Sequence, residues 1–286
     1  MKKRATATVA VVLALVLAAC GDQAEGEPVT RTEIGSGVNT AQAANDEVDA
    51  PAAPEATPAS DPASPCQRVA YKGATLTHCI ADPKNHRVSM TLGPKGAYYR
   101  SFSALSSARG ASAQPVAFAV NGGMFDEAGA PVGYYVENGE RRRELNRADG
   151  PGNFHMKPNG VFYGTDTAWR VRTTEDFYAK VSDRPRFGTQ SGPMLLIDGQ
   201  MHPEFQEDGP SKMVRNGVGV DPQGRAHFVQ SNGGISFGLF AAFFRDVAQT
   251  PNALYLDGNV SALWVPAENR MDATVPLGPL IVVEKR

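Results

Sequence analysis

From Cys66 to the C-terminus, short runs of β-branched and aromatic residues alternate with Gly, Pro and Asn. Runs this short cannot form long helices; they bury apolar surface best as strands. The pattern predicts strands over 87–92, 116–120, 133–137, 160–163, 168–172, 194–197, 217–220, 226–230, 253–256 and 280–283. Helical spacing is scarcer. Its clearest case is 236–249, where Phe237, Phe240, Phe243, Phe244 and Val247 recur at i, i+3 and i+4. Ser236 caps that segment and Pro251 follows it. Weaker helical signals cover 174–181 and 102–109, and no internal repeat is visible. The expected fold is a β-rich α+β (mixed α/β) single domain, with a twisted mixed sheet flanked by a few helices.

The chain before Cys66 has another texture. Residues 21–64 hold nine acidic residues against one basic residue, Arg31, and only scattered aliphatics such as Val29 and Ile34. Such a segment buries too little surface to offset the entropy of ordering it. Lys2, Lys3 and Arg4 precede an apolar run from Val9 to Ala19, too short to span a bilayer as a mature helix. Leu17-Ala18-Ala19-Cys20 resembles a bacterial lipobox, whose cysteine is lipidated and becomes the mature N-terminus. The alternative is an ordinary secretory signal with a cysteine at its cleavage site. Gly21 rather than Asp follows Cys20, which argues against inner-membrane retention and leaves open which membrane carries the anchor. The boundaries are a signal peptide over 1–19, a disordered acidic Ala/Pro-rich tether over 20–64 and a folded domain over 65–286. The chain is expected to be exported and lipid-anchored to the cell envelope, periplasmic or on its outer face.

The roughly 220 residues after the tether suffice for one domain with a large core. A net charge of −2 gives nucleic acid no basic surface to meet. With Cys20 assigned to the lipid, Cys66 and Cys79 form an even pair in an oxidising compartment. A disulfide is the default there, closing a loop worth about 3 kcal/mol. No Cys/His cluster or alternating-acid calcium loop appears, so no metal or cofactor is expected.

The predicted strand, helix and strand across 226–256 have the length of a crossover. Asp257 directly follows its second strand, and Asn121 directly follows the run over 116–120. Ligands of open α/β sheets bind beyond the carboxyl ends of strands, which nominates both residues. Asn-Gly and Asp-Gly are also good turn dipeptides, and that reading stays open.

Four segments carry further chemistry. Asn121-Gly122-Gly123-Met124-Phe125 sets paired glycines beside a carboxamide, where backbone N–H groups can approach a ligand. Ser191-Gly192-Pro193 opens an apolar strand that ends at Asp198-Gly199. Arg215 stands at the start of the strand Gly217-Val218-Gly219-Val220. Leu256-Asp257-Gly258-Asn259-Val260-Ser261 ends a strand on a carboxylate, with a hydroxyl four residues on. In this order and spacing the segments resemble the phosphodiester glycosidase family, over roughly Tyr71 to Arg286. The family's second glycine after the aspartate is Asn259 here, with Val260 next, so the pocket and its substrate can differ.

The resemblance implies hydrolysis of the C1–O bond of a sugar-1-phosphodiester, with a carbohydrate-phosphate or glycan as substrate. Phosphate leaves readily, so catalysis must mainly stabilise an oxocarbenium-like transition state and neutralise phosphate charge. Arg215 suits a bidentate grip on phosphate, against the alternative of a structural ion pair. Asp257 is a candidate nucleophile, base or hydroxyl-binding carboxylate, and Asn121 would orient the substrate. Gly122, Gly123, Ser191, Gly192, Gly258 and Ser261 complete the substrate-binding set. His155 is a candidate acid or base, with a solvated loop histidine as its alternative. Arg141-Arg142-Arg143 reads as a solvated run. The rival function is a non-catalytic envelope protein that holds a glycan or glycolipid headgroup in the same cleft.

Overall fold

The computed structural model describes residues 64–94, 97–258, 260–273 and 275–286. The signal, the tether, Cys20 and Asn259 lie outside the described residues. The chain opens with a hairpin of β1 (Cys66–Tyr71) and β2 (Ala74–Ala81), then β3 (His86–Thr91), α1 (Phe102–Ala108) and β4 (Val116–Asn121). The next strands are β5 (Tyr135–Glu137), β6 (Glu140–Arg143), β7 (Gly160–Gly164) and β8 (Trp169–Thr173). Then follow α2 (Thr174–Lys180), β9 (Phe187–Ser191), β10 (Met194–Ile197), β11 (Gln200–Met201), β12 (Asn216–Val220) and β13 (Ala226–Ser231). The chain closes with α3 (Phe237–Asp246), β14 (Asn252–Asp257), β15 (Leu263–Val265), β16 (Arg270–Met271) and β17 (Leu280–Lys285).

These strands form three sheets, in the orders β1-β2-β13-β12-β14-β10-β11, β16-β15-β4-β17-β3 and β6-β5-β9-β7-β8. The β-rich α+β class is as expected, but the single mixed sheet is replaced by three. Every ladder among the described residues is antiparallel. The expected crossover over 226–256 explains the difference. The chain does run β13, α3, β14, and those two strands point the same way, but β12 lies between them and pairs antiparallel with both. In the second sheet the last strand, β17, is inserted between β4 and β3.

Phe228 on β13 ties the three sheets together. Its ring lies 5.4 Å from Phe118 of β4 and 5.7 Å from Phe162 of β7. Strand neighbours on the opposite face of the first sheet, such as Val229 and Tyr255, pack under α3 with Phe240, Phe243 and Phe244. Both faces of that sheet are therefore buried, which is why β13 and β14 read as continuous rather than alternating runs. The Ser236 hydroxyl accepts the Leu239 N–H at 3.1 Å and starts the helix as expected, while the helix ends at Asp246, short of the predicted 249. Cys66 and Cys79 sit opposite each other on β1 and β2 and are disulfide-bonded. The Arg141–Arg143 run faces solvent as expected and forms most of β6, an edge strand on which Arg142 pairs with Glu137 at 2.7 Å. Like charges on an edge strand also discourage pairing with another chain.

Candidate active site at the junction of three sheets

The carboxyl ends of β4, β9 and β14 and the amino end of β12 meet at one place. Asn121 closes β4 and is fully buried. Its Oδ1 accepts the Asn216 Nδ2–H at 2.9 Å and the Ala262 backbone N–H at 2.9 Å. Asn216 in turn accepts the Asp257 backbone N–H on its own Oδ1, at 2.8 Å. One carboxamide thus bridges the two nominated residues, and it holds the second sheet to the first. The Ser191 hydroxyl ties the third sheet in by donating to the Leu256 carbonyl at 2.7 Å.

Because both acceptor positions of Asn121 are taken, its amide orientation is fixed. Nδ2 is left buried, with no partner among the described residues. A second donor is in the same state. Arg215 is fully buried; its Nε donates to the Ile235 carbonyl at 2.8 Å and its Nη2 to the Ser211 carbonyl at 2.9 Å. The Tyr255 hydroxyl faces the guanidinium, Nη1 makes no well-formed hydrogen bond, and no carboxylate among the described residues neutralises the charge. The guanidinium carbon lies 3.5 Å from the Phe237 ring centroid and 5.5 Å from that of Tyr255. An orphaned buried donor costs about 1–3 kcal/mol, so each points to a partner from outside the described residues. The structural ion pair considered for Arg215 is absent among the described residues.

Asp257 is half-buried, and its carboxyl is pushed up to about 6 by desolvation, partly offset by the Gly258 N–H that donates to Oδ1 at 2.6 Å. Tyr255, two residues earlier on the strand, has its hydroxyl pushed up to about 12. Burial dominates that shift, opposed by Arg215 and reinforced by Asp257. A Cβ on Gly258 would run into the Tyr255 hydroxyl, which explains the glycine after the aspartate. Ser261 donates to the Asp257 carbonyl at 3.2 Å and closes the turn.

The paired glycines serve packing. The Gly122 N–H goes to the Pro279 carbonyl at 2.7 Å, and that of Gly123 to Thr189 Oγ1 at 3.0 Å. A Cβ on Gly123 would meet the Gln190 carbonyl. Gly192 likewise packs against Asn159 and the Phe154 carbonyl. His155 lies in the short turn Asn153–His155, half-buried, with Nδ1 3.1 Å from the Ala148 carbonyl. No hydrogen bond among the described residues joins it to Asp257. Its neighbour Asn153 instead faces the Tyr255 hydroxyl. Among the described residues no three His, Cys, Asp or Glu side chains gather to hold a metal ion.

Sequence reasoning passed over Asn216, Tyr255 and Asn153. For Tyr255 a signal existed, since it precedes Asp257 by two on a strand. For Asn216 none did, because its importance comes from the register that sets it opposite Asp257.

Comparison with known proteins adds a family. The phosphodiester glycosidase family model matches residues 114–283, which contain all four motif segments. The Escherichia coli K12 protein YigE, itself uncharacterized, is 36% identical over 171 residues, covering 60% of this chain and 66% of its own length. The chain thus spans just under two thirds of that relative. The catalytic domain of zebrafish N-acetylglucosamine-1-phosphodiester alpha-N-acetylglucosaminidase, solved auto-inhibited by its pro-peptide, superposes with a TM-score of 0.53 at 15% identity. The superposition covers 77% of this chain and 82% of that one, and shows a shared fold.

Proposed function

The chain belongs to the phosphodiester glycosidase family, and from that premise we propose that it hydrolyses the C1–O bond of a sugar-1-phosphodiester. One observation carries the reading: a carboxyl held near 6 is bridged through Asn216 to Asn121, whose buried Nδ2 is unpartnered, and the buried cation Arg215 directly precedes Asn216. Arg215 Nη1 and Asn121 Nδ2 donate to phosphate oxygens and a sugar hydroxyl. Asp257, mostly ionised at neutral pH, takes a proton from the water that adds to C1. The C1–O bond breaks with its electrons passing to the phosphate oxygen, and the products are the free sugar and a phosphomonoester. Incubating the protein with a panel of sugar-1-phosphodiesters tests this, through release of reducing sugar and phosphomonoester. At least one diester should turn over, and Asp257→Asn should slow it at least ~10²-fold. Near-normal turnover in that variant removes Asp257 from the chemistry.

The same reading sets the hydrolase outside the cytoplasm, anchored by lipid on Cys20. The lipobox supports it, and the Cys66–Cys79 disulfide suits an oxidising compartment. Radiolabelled palmitate should enter the wild-type chain and not Cys20→Ser; equal labelling refutes the anchor.

A further inference from the structure

The third sheet ends in a free strand edge. β8 is last in that sheet and pairs with β7 alone. The Thr165 N–H donates to the Ala168 carbonyl at 2.9 Å, and the Thr174 N–H to the Asn159 carbonyl at 2.8 Å. Bonded pairs alternate along an antiparallel ladder, so Arg170 and Arg172 turn their peptide groups towards β7, while Trp169, Val171 and Thr173 turn theirs away. The outward N–H groups of those three residues, and the carbonyls of Trp169 and Val171, have no backbone partner among the described residues. A cavity of about 610 Å³ runs along this edge, past residues 167–173. Its far wall is the turn over 221–224, with Pro251 and Asn252. Trp169 is 3% exposed and lines the cavity, and its indole Nε1 has no acceptor among the described residues. A row of unpaired peptide groups in a groove is a template for one more strand, and the buried indole calls for an acceptor from it.

Charge, sheet register and chain length together select the occupant. A second copy of the chain would set Arg170 and Arg172 against their own counterparts, which disfavours pairing of edge strands. The first sheet instead brings the chain's own N-terminal segment towards the groove. The Pro65 carbonyl accepts the Ile80 N–H at 3.0 Å, and Ile80, His227, Gly219 and Ala253 lie side by side across β2, β13, β12 and β14. The chain thus enters the first sheet at the end where the groove lies, three to four strand spacings or roughly 15–20 Å away. Within residues 21–64, Val29-Thr30-Arg31-Thr32-Glu33-Ile34 is the run with strand character: Val29, Thr30, Thr32 and Ile34 are β-branched, and Pro28 and Gly35 bound it. The groove holds one exposed charge of each sign without an ion pair among the described residues, Arg170 and Asp198, and the run carries one of each, Arg31 and Glu33. About 30 residues join Ile34 to Pro65, with an r.m.s. reach of roughly 30 Å. That spans the distance and presents the run at an effective concentration on the order of millimolar.

We propose that residues 29–34 dock as an added strand on the free edge of β8. The groove lies at the ends of β12 and β14 remote from Asp257, which stands five residues along β14 from Asn252, roughly 17 Å. The docked run therefore leaves the candidate active site open and instead fixes how the domain sits on its tether. On the lipid-anchor reading of Cys20, docking shortens the extended span from lipid to domain from roughly 150 Å to roughly 25 Å and turns Asp257 away from the membrane. The test is amide exchange by NMR on the soluble Cys20→Ser chain, which needs neither lipid nor substrate. The Trp169, Val171 and Thr173 amides should exchange at least tenfold more slowly than in the same chain carrying Thr30→Pro and Arg31→Pro, a pair that removes a donor whichever side of the run faces β8. Both substitutions lie outside the three sheets, so a change in exchange is not a change in fold. Equal exchange in the two chains overturns the proposal. Protection that rises with protein concentration, with a dimer in light scattering, gives the edge to a second copy and overturns it as well. A synthetic peptide of residues 27–35, at a concentration on the order of millimolar, should restore protection in the proline variant. A peptide without effect overturns the assignment of the run.

Discussion

Asp257→Asn should make the folded domain more stable at pH 8 and leave it unchanged near pH 4. The Asp257 carboxyl is lifted from 3.8 to about 6 because its surroundings desolvate the charge. The folded state therefore holds the proton more tightly than the unfolded chain. Below the unfolded value the group is neutral in both states and costs nothing. Between about 4 and 6 the unfolded chain ionises first, and stability is lost as pH rises. Above about 6 the penalty is complete. A shift of about 2 units is worth about 3 kcal/mol at 1.36 kcal/mol per unit. Asp257 is half-buried, and solvent screening reduces the expected gain to about 1–2 kcal/mol. For a domain of this size that is a rise in Tm of roughly 2–8 °C. Asn keeps the volume and the acceptor for the Gly258 N–H, so the comparison isolates the charge. Urea midpoints of both proteins from pH 4 to pH 8 are the assay. A variant less stable than wild type at pH 8 would falsify the reasoning and return Asp257 to the role of a turn residue.

Other tests follow from the same geometry. Asn216→Leu removes the carboxamide that bridges Asn121 and Asp257 and should cost about 2–4 kcal/mol in urea unfolding, since it strands two buried partners; a loss under ~0.5 kcal/mol would show that the bridge is dispensable. Acid should destabilise the wild type between about 6.5 and 4, because the buried His78 ring, 2.9 Å from His227, resists protonation until about 4. Desolvation is the main cause, followed by the His227 charge, and the ceiling is about 3 kcal/mol. His78→Phe should flatten that slope, and an unaltered slope sinks the attribution. Gly123→Ala should lower stability by about 2 kcal/mol or more by driving a methyl into the Gln190 carbonyl, and a Tm within 1 °C of wild type would contradict the packing role.

Ten strands and all three helices were legible in the sequence because each carried its own apolar pattern. The elements that escaped lack one. β6 is Glu-Arg-Arg-Arg and is a strand only because β5 pairs with it. β9 is Phe-Gly-Thr-Gln-Ser, wholly buried yet mostly polar, because its side chains bond to the site loops. The hairpin of β1 and β2 hides its burial behind Gln67, Arg68, Thr77 and His78. The site divides in the same way. Asn121, Arg215 and Asp257 stand at strand ends and were found from punctuation. That the Gly122 and Gly123 donors face the protein, and that Asn216 is the bridge, follows from register alone, which no single segment encodes.

The place of β17 bears on when this molecule becomes competent. It is the last described strand in the sequence, yet it separates β3 from β4, and its Leu280 lies opposite Asn121. Until residues 280–285 are synthesised, β4 is paired with β15 alone, and the edge that carries Asn121 is open on the other side. Folding from the N-terminus during synthesis can finish the first hairpin but not the site. The nascent chain therefore stays without its complete second sheet until translation of residues 280–285.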